Sequence, residues 1–208
     1  MQRKMACLSA IFLVCSSVSS SVFAVADGFF LGLQLGQTNV NNLSMPDPVT
    51  QTFVKPSNTG AGFRFDMGYN FSRYAAWEVG LGRYAPAEYK FADRQCQSPA
   101  KIGFDITGKA MFPVSVVSVF GRAGIAVLRN GNLSIVTTPD GNYKCKTASS
   151  ITARPLVAAG VSFDLNQSWV VDLSWSRILK GGNMKNADLK ALGISYHFTT
   201  KYCGQFIC

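Results

Sequence analysis

The sequence is poor in charged residues, in acidic residues above all, and in histidine. Only 15% of its 208 residues are charged, 11 acidic side chains stand against 20 basic ones, and the single histidine is His197. Nineteen glycines and 15 phenylalanines accompany this low charge, a composition unusual for a soluble domain. The scarcity of histidine also leaves an enzyme that depends on an imidazole base with one candidate residue.

Long apolar runs are missing as well, apart from one near the amino terminus. There a basic pair, Arg3 and Lys4, precedes an apolar stretch at 8–14 and the small-residue sequence VFAVA at 22–26. This order is typical of a secretory signal rather than a membrane helix. We predict a signal peptide at 1–26, cleaved after Ala26 or, as the alternative, after Ala24. Elsewhere no apolar run approaches the ~20 residues that a membrane helix requires.

Cysteine is scarce too, with six residues in the chain. Cys7 and Cys15 lie in the predicted signal peptide, and Val14 before Cys15 is larger than the residue that a lipoprotein site requires. The other four cysteines are an even number in an exported protein, which favours disulfides. Their spacing does not suit a zinc site: they are Cys96, Cys145, Cys203 and Cys208.

The rest of the chain shows apolar residues alternating with small or polar residues at a period of two. The alternation recurs in segments of about ten residues, separated by glycine, asparagine and proline, as expected of β-strands. The eight segments are 29–36, 61–70, 75–82, 102–109, 119–127, 154–163, 169–176 and 191–198. We therefore predict an all-β fold, with eight strands in one domain at 27–198.

In each segment one face is large and apolar, and the other carries glycine, alanine, serine and charge. The second segment, for example, sets Phe63, Phe65 and Met67 against Arg64 and Asp66. A soluble sandwich would bury the large face and gain nothing from glycines opposite. A membrane barrel turns its large apolar side chains toward lipid and packs small and polar groups in its lumen. The pattern predicts an eight-stranded antiparallel transmembrane β-barrel.

The connections between segments support this prediction, because short and long ones alternate. Those at 70–74, 113–115 and 166–168 are short, and the others run to about 8–20 residues, as short periplasmic turns and long extracellular loops do. Aromatic residues gather where strands meet the short turns, as in the aromatic belt of a membrane interface. They are Tyr69, Phe71, Tyr74, Trp77, Phe112, Phe163, Trp169, Tyr196 and Phe198.

The last segment ends in Ile194-Ser195-Tyr196-His197-Phe198. With the eight strands and their loops, this ending resembles the small outer-membrane barrels of Gram-negative bacteria, the family that includes the OmpA transmembrane domain and OmpX. The resemblance implies a place in the outer membrane among its lipids and lipopolysaccharide. It also implies that the barrel assembly machinery reads Tyr196 and Phe198 as an aromatic-x-Phe signal. Two features depart from the family: residues 199–208, a predicted periplasmic tail, follow Phe198, and no peptidoglycan-binding domain does.

The inward faces of the predicted strands carry four cations and four carboxylates. They are Arg64, Asp66, Glu78, Asp105, Lys109, Arg122, Arg154 and Asp172. Because buried charges require partners, we predict a salt-bridge network that seals the lumen. Eight strands enclose too little space for a wide pore. As an alternative, the family resemblance allows a narrow ion channel gated by this network.

The long loops and the adjoining strand rims are basic, which favours polyanions such as lipopolysaccharide phosphates or sulfated glycans of a host surface. The cations singled out for this surface are Lys90, Arg94, Lys101, Lys144, Lys146, Lys180 and Lys185. The alternative is that these lysines stay solvated or meet the protein's own lipopolysaccharide. We predict a structural and surface-recognition role of the adhesin type. No nucleic-acid motif is present, despite a net charge of +9.

Catalysis is not expected, and neither a cofactor nor a metal site is predicted. Barrels that hydrolyse or modify lipids need a nucleophile and a base near the outer leaflet. His197 falls instead at the periplasmic end of the last segment and has no acidic neighbour in the local sequence. A lipid-modifying enzyme is therefore the least favoured alternative.

Two disulfides are expected from the positions of the cysteines. Cys96 and Cys145 fall in the second and third long loops, which emerge on one side of the membrane, so a bridge between them would restrict both loops. Cys203 and Cys208 lie in the predicted tail and are expected to pair with each other or with a second chain.

Overall fold

The computed structural model describes residues 27–47, 49–92, 95–137, 143–180 and 184–198. The predicted signal peptide and the predicted tail, with Cys203 and Cys208, lie outside the described residues, so these expectations stay predictions. Within the described ranges there is no helix long and apolar enough to cross a membrane.

The described chain is almost entirely β-strand. In chain order the strands are β1 (Gly28–Asn42), β2 (Met45–Pro46), β3 (Phe53–Val54), β4 (Thr59–Ser72), β5 (Ala75–Tyr84), β6 (Glu88–Lys90), β7 (Gln95–Gln97), β8 (Lys101–Val114), β9 (Val117–Thr137), β10 (Tyr143–Asp164), β11 (Trp169–Ile178) and β12 (Met184–His197). Eight of them form a closed barrel in the order β1-β4-β5-β8-β9-β10-β11-β12, with β12 returning to pair with β1. Every pair is antiparallel, so the predicted fold is confirmed.

Each of the eight predicted segments lies within a barrel strand, or ends one residue beyond it. The four short strands form two hairpins that the alternation did not predict, β2–β3 and β6–β7, both between barrel strands on the long-loop side. The third long loop is also shorter than predicted, because β9 and β10 stay paired from Val117↔Phe163 to Thr137↔Tyr143. Since β10 pairs with β11 only as far as Leu156, the upper ends of β9 and β10 extend as a two-stranded ribbon.

Burial follows the predicted two-residue alternation around the barrel wall. The outward positions are large and exposed, as Leu35, Ile106 and Leu173 illustrate, while the inward positions are buried. A surface of this composition is stable only in contact with an apolar solvent. The strands that carry it are long enough to cross the hydrocarbon core of a bilayer. The nine aromatic residues predicted near the short turns are all exposed on this surface or its lower rim, where the membrane interface lies.

Candidate functional sites in the barrel interior and the extracellular head

Arg64 on β4 is the first anchor of a buried charge cluster halfway along the lumen. Its guanidinium donates from Nε (3.2 Å) and Nη2 (2.8 Å) to the two carboxylate oxygens of Asp105 on β8. Its Nη1 lies 3.2 Å from Oδ1 of Asp66, close enough for an ion pair although not aligned for a hydrogen bond. A bidentate arginine–carboxylate pair of this kind is strong and fixes the geometry of both side chains.

Glu78 on β5 is the centre of the cluster, because three cations converge on it. Arg122 donates from Nη1 at 3.1 Å, Nζ of Lys109 lies at 3.2 Å, and Nη2 of Arg64 lies at 3.6 Å. All of these groups are buried or nearly so. Removing one member would leave charge without its full set of partners in a site that water does not reach. We call Arg64, Asp66, Glu78, Asp105, Lys109 and Arg122 the lumen cluster.

Asp172 joins the lumen cluster through a residue that the sequence did not single out. Gln34 on β1 donates from Nε2 to Asp172 at 3.0 Å and accepts from Arg122 at 3.5 Å. A neutral amide can do both at once, since it carries a donor and an acceptor. Its inward position opposite Arg64 was the available signal, although the prediction considered charged residues alone. The last predicted member, Arg154, lies nearer the extracellular mouth and donates to Thr152.

Two phenylalanines share the lumen with these charges, which the polar-interior prediction did not anticipate. Phe30 faces Gly68 across β1 and β4, and Phe120 faces Gly160 across β9 and β10. A Cβ at Gly68 would lie 2.6 Å from the ring of Phe30, so the glycine makes the space that the ring occupies. Nζ of Lys109 stands 4.5 Å above the Phe120 ring, within cation–π range.

The extracellular third of the lumen is largely apolar, although Thr38, Lys101 and Arg154 are also buried there, which corrects the expectation that small and polar groups fill it throughout. The residues that pack there, which we call the apolar plug, are Val40, Tyr84, Ala126, Leu128, Leu156, Ile178, Ala187, Leu189 and Ala191. Leu128 is 0% exposed and Ile178 is 1% exposed. At this height the alternation is inverted, because the plug residues face the lumen while Arg177, Asp188 and Lys190 face outward. The barrel is thus closed by a hydrophobic layer above the lumen cluster.

Below the lumen cluster the barrel opens into a cavity of about 400 Å³ at the short-turn end. His197 lines it, stacked on Phe30 at a ring separation of 4.9 Å. Its Nδ1 lies 3.2 Å from the amide nitrogen of Asn70, and its Nε2 lies 3.2 Å from the hydroxyl of Ser195. These neutral partners hold the ring in place. Among the described residues no group of histidine, cysteine and carboxylate side chains is arranged to hold a metal ion.

The extracellular head is the assembly formed by the first two long loops, at 43–58 and 85–100, and the ribbon of β9 and β10 above the barrel. Its small core consists of Ala87, Tyr89, Phe91, Cys96 and Leu133, with Met45, Val54 and Ile135 packed against it. The two loops are also joined by backbone hydrogen bonds in both directions between Ser57 and Glu88, at 2.8 and 3.2 Å. The head is therefore a packed unit rather than a set of independent loops.

Asp47 fastens the first loop of the head to the second. Its carboxylate is buried, with Oδ1 accepting from the backbone N–H of Val49 at 2.9 Å and Oδ2 from that of Ala92 at 3.1 Å. These N–H groups stabilise the anion, Val49 above all, and hold the pKa of Asp47 below its ordinary value of 3.8. On the second loop, burial raises the pKa of Tyr89, whose hydroxyl donates to the carbonyl of Leu43 at 3.1 Å.

A disulfide joins Cys96 on β7 to Cys145 on β10, with the two Cα atoms 6.2 Å apart. The predicted bridge between the second loop and the next long connection is thus present, although Cys145 lies in the ribbon rather than in a loop. A second tie lies nearby, since the hydroxyl of Ser98 donates to the carbonyl of Gly131 at 2.9 Å. Both ties attach the second loop to the ribbon.

The predicted polyanion-binding cations divide between surface and interior. Lys90, Lys144, Lys146 and Lys180 are exposed, as is Lys55. Lys144 and Lys146 stand on the ribbon face opposite Cys145, because alternate residues of a strand point to opposite sides. Arg94 and the side chain of Lys185 lie outside what the structure describes.

The prediction that Lys101 belongs to the polyanion-binding surface is wrong. It is 4% exposed, points into the mouth of the lumen and donates from Nζ to Oδ1 of Asn42 at 2.6 Å. A side chain so placed does not reach an extracellular polyanion. The physical reason is that Lys101 is the first residue of β8, one residue before the predicted segment, and faces inward.

The two residues of the predicted assembly signal lie side by side at the periplasmic rim. Tyr196 and Phe198 are exposed toward lipid with ring centroids 5.0 Å apart. Phe198 also contacts Phe29 on β1 at 5.8 Å, next to the seam where the first and last strands close the barrel.

A closed eight-stranded barrel with a lipid-facing wall and a packed lumen narrows the identity to membrane barrels. Residues 10–198 match the family described as the outer membrane protein beta-barrel domain. The chain belongs to this family. An uncharacterised protein of Coxiella burnetii (strain RSA 493 / Nine Mile phase I) is 27% identical to it over 186 residues, which cover 72% of this chain and 75% of that protein.

Solved structures with the same fold are also outer-membrane barrels. Neisserial surface protein A (NspA) matches 82% of this chain and 97% of its own with a TM-score of 0.56 and 15% identity. OprG of Pseudomonas aeruginosa matches 86% and 100% with a TM-score of 0.53 and 13% identity. Ail, the attachment invasion locus protein of Yersinia pestis, in complex with the heparin analogue sucrose octasulfate, matches 83% and 99% with a TM-score of 0.52 and 15% identity.

These comparisons establish where this outer-membrane barrel resides. It is an integral protein of the outer membrane of a Gram-negative bacterium, as the resemblance implied. The families that it matches are non-enzymatic barrels. With short turns facing the periplasm, the head and its lysines face the outside.

Proposed function

We propose that this barrel is a surface-recognition protein whose head binds polyanions, such as sulfated glycans, through Lys55, Lys90, Lys144 and Lys146. The observation that carries the proposal is the difference in exposure between the lysines and the carboxylates of the head. Its lysines are exposed, whereas Asp47 is buried against backbone N–H groups and Glu88 accepts hydrogen bonds from Gln95 and Gln97 at 3.2 and 3.4 Å. Among the described residues of the head, four exposed lysines therefore outnumber two carboxylates that are buried or half-buried.

Rigidity of the head supports the same proposal. A flexible loop must lose conformational entropy when it binds, and a loop already held by a disulfide and a small core loses less. Lys144 and Lys146 protrude from a paired strand, two residues apart, so their spacing is fixed before any ligand arrives. Ail has been crystallised with a heparin analogue, so a barrel of this shape is compatible with a polysulfate ligand.

Heparin binding by the folded barrel tests this function. We expect binding to weaken steeply as salt rises, since long-range attraction is screened over about 8 Å at physiological ionic strength. Neutralising Lys144 and Lys146 together, as K144Q/K146Q, should lower the affinity about tenfold if each contact contributes ~0.7 kcal/mol, within the range for exposed ion pairs.

The matched control for this experiment is a double variant that removes two cations elsewhere. Arg73 is exposed in a periplasmic turn and Arg83 points outward from the upper end of β5, below the head, so R73Q/R83Q makes the same change in net charge without changing the four head lysines. We expect it to keep wild-type heparin affinity. Equal losses of heparin affinity in the two double variants would exclude recognition by the head. Heparin binding that does not depend on salt concentration would also exclude it.

The channel alternative is weakened by the apolar plug. Ions crossing the barrel would have to pass Leu128, Ile178 and Leu189, which pack against one another with almost no exposed surface. A hydrophobic constriction of this kind excludes water and blocks conduction even without a salt bridge. We therefore assign the lumen cluster to holding the barrel together rather than to gating it.

A further inference from the structure

The register of the strands locates the upper edge of the lipid-facing band on one side of the barrel. One outward row, formed by cross-strand partners, is entirely apolar and exposed: Leu173, Leu192, Leu35 and Phe63. The next outward row toward the head lies two residues further along each strand: Trp175, Lys190, Gln37 and Ala61. The change from apolar to polar marks the border between acyl chains and headgroups on this wall.

A cavity of about 350 Å³ opens on the outside of the wall at this border. It is lined mainly by outward side chains of three strands, among them Gln37, Asn39, Trp175, Arg177, Asp188 and Lys190. The cavity is thus separate from the lumen and from the head, and it lies directly above the apolar row. A ligand here would have its polar part in the cavity and its apolar part against Leu35, Leu173 and Leu192.

The charges in the cavity are arranged to leave one cation for a ligand. Arg177 donates to both oxygens of Asp188, from Nε at 2.7 Å and from Nη2 at 3.0 Å, and it also lies 4.9 Å from the Trp175 ring. The positive charge of Arg177 is therefore neutralised by Asp188 within the cavity. Lys190 is exposed, and no carboxylate of the described residues forms an ion pair with it. It pairs in register with Trp175 and Gln37, so the three side chains stand side by side.

We propose that this cavity binds the phosphorylated sugar headgroup of an outer-leaflet lipid. Lys190 pairs with the phosphate, the amides of Gln37 and Asn39 bind sugar hydroxyls, and the indole of Trp175 packs against the sugar ring. The acyl chains lie against the apolar row below. The ammonium, amides and indole match the charge, the hydroxyls and the ring face of such a headgroup. The position directly above the acyl-chain level selects a lipid over a soluble phosphate.

Lipid A, a phosphorylated glucosamine lipid, is the probe that tests this site. The barrel is refolded in zwitterionic detergent with added lipid A, and bound lipid is measured by native mass spectrometry. We expect one tightly held lipid, and about fivefold weaker binding by K190Q, since a cation near a membrane surface contributes about 1 kcal/mol toward anionic lipid. Wild-type protein with dephosphorylated lipid A should show a similar loss, and K190Q should show no further loss with that lipid.

Arg129 provides the matched control, because it is an exposed outward cation on β9 that does not line the cavity. We expect R129Q to bind lipid A as the wild type does. An equal loss in R129Q would mean general attraction by a basic barrel, and unchanged binding by K190Q would remove Lys190 from the site. Either result overturns the proposal. Heat-modifiable migration in gels verifies that each variant is folded.

Two further measurements separate the lipid from other occupants. Millimolar inorganic phosphate should fail to displace lipid A, and displacement would instead identify a soluble-anion site. The variant W77F/W169F leaves Trp175 as the one tryptophan of the three in the chain, so its fluorescence should respond to lipid A and not to phosphate. An absent response to lipid A would contradict the placement of the sugar. Heparin binding by K190Q should remain normal, because the site does not depend on the head.

Discussion

At the residue scale, the lumen shows how a narrow barrel holds charge away from water. Each cation of the lumen cluster meets a carboxylate, and Glu78 meets three cations. The alternation in the sequence was sufficient to predict which of these residues face inward. It did not predict the contacts that Gln34, Phe30 and Phe120 make in the lumen. Contacts across the lumen depend on the stagger between strands, which the sequence of a single strand does not reveal.

Replacing Arg122 by glutamine tests the cluster. We expect the free energy of unfolding to fall by ~3 kcal/mol, at the low end for breaking a buried pair, because Glu78 keeps Lys109 and Arg64 as partners. Urea titration in lipid vesicles, followed by gel mobility of the folded form, measures the change. R73Q removes an exposed cation and should cost no more than ~1 kcal/mol. Equal stability of R122Q and R73Q would show that the cluster does not stabilise the barrel.

At the scale of elements, the long hairpin β9–β10 and the two short hairpins build the head. The predicted segments were shorter than β9 and β10. On β10 residues 144–149 are all exposed, so no apolar face indicates a strand, and on β9 Leu133 and Ile135 pack against the head rather than face lipid. The β6–β7 hairpin, only three residues per strand, is held by Cys96 and by packing of Tyr89 rather than by its own pattern. Short strands of this kind depend on tertiary contacts that local sequence does not reveal.

The Asp47 contact gives the head a testable pH dependence. Because its folded pKa lies below 3.8, the carboxylate stabilises the head above that pH and loses the effect as the pH falls through the folded pKa. Hydrogen-exchange protection factors of the Val49 and Ala92 amides should therefore stay constant from neutral pH to about pH 5 and drop only in stronger acid. D47N should show weak protection at every pH, while barrel amides such as that of Leu33 stay protected. Strong acid-insensitive protection in D47N would exclude the contact.

At the scale of the whole molecule, the barrel has three layers: a periplasmic cavity, the lumen cluster and the apolar plug. The eight-strand count and the inside-out arrangement followed from the sequence, because lipid on one side and a narrow lumen on the other impose opposite residue types on alternate positions. The plug did not follow from the sequence, because around Ile178 and Leu189 the alternation is inverted. There the apolar residues face the lumen, and Arg177, Asp188 and Lys190 face outward.

The layers predict how the barrel conducts ions. In planar bilayers we expect the wild type and R122Q to be silent, because removing a salt bridge leaves the plug in place. Hydrating the plug with L128S/L189S should also leave the barrel silent, since the lumen cluster still fills the middle layer. Current should appear when R122Q is added to L128S/L189S, and the two barriers would then act in series. Channel openings in R122Q alone would show that the salt-bridge layer is the sole barrier and that the plug does not exclude water.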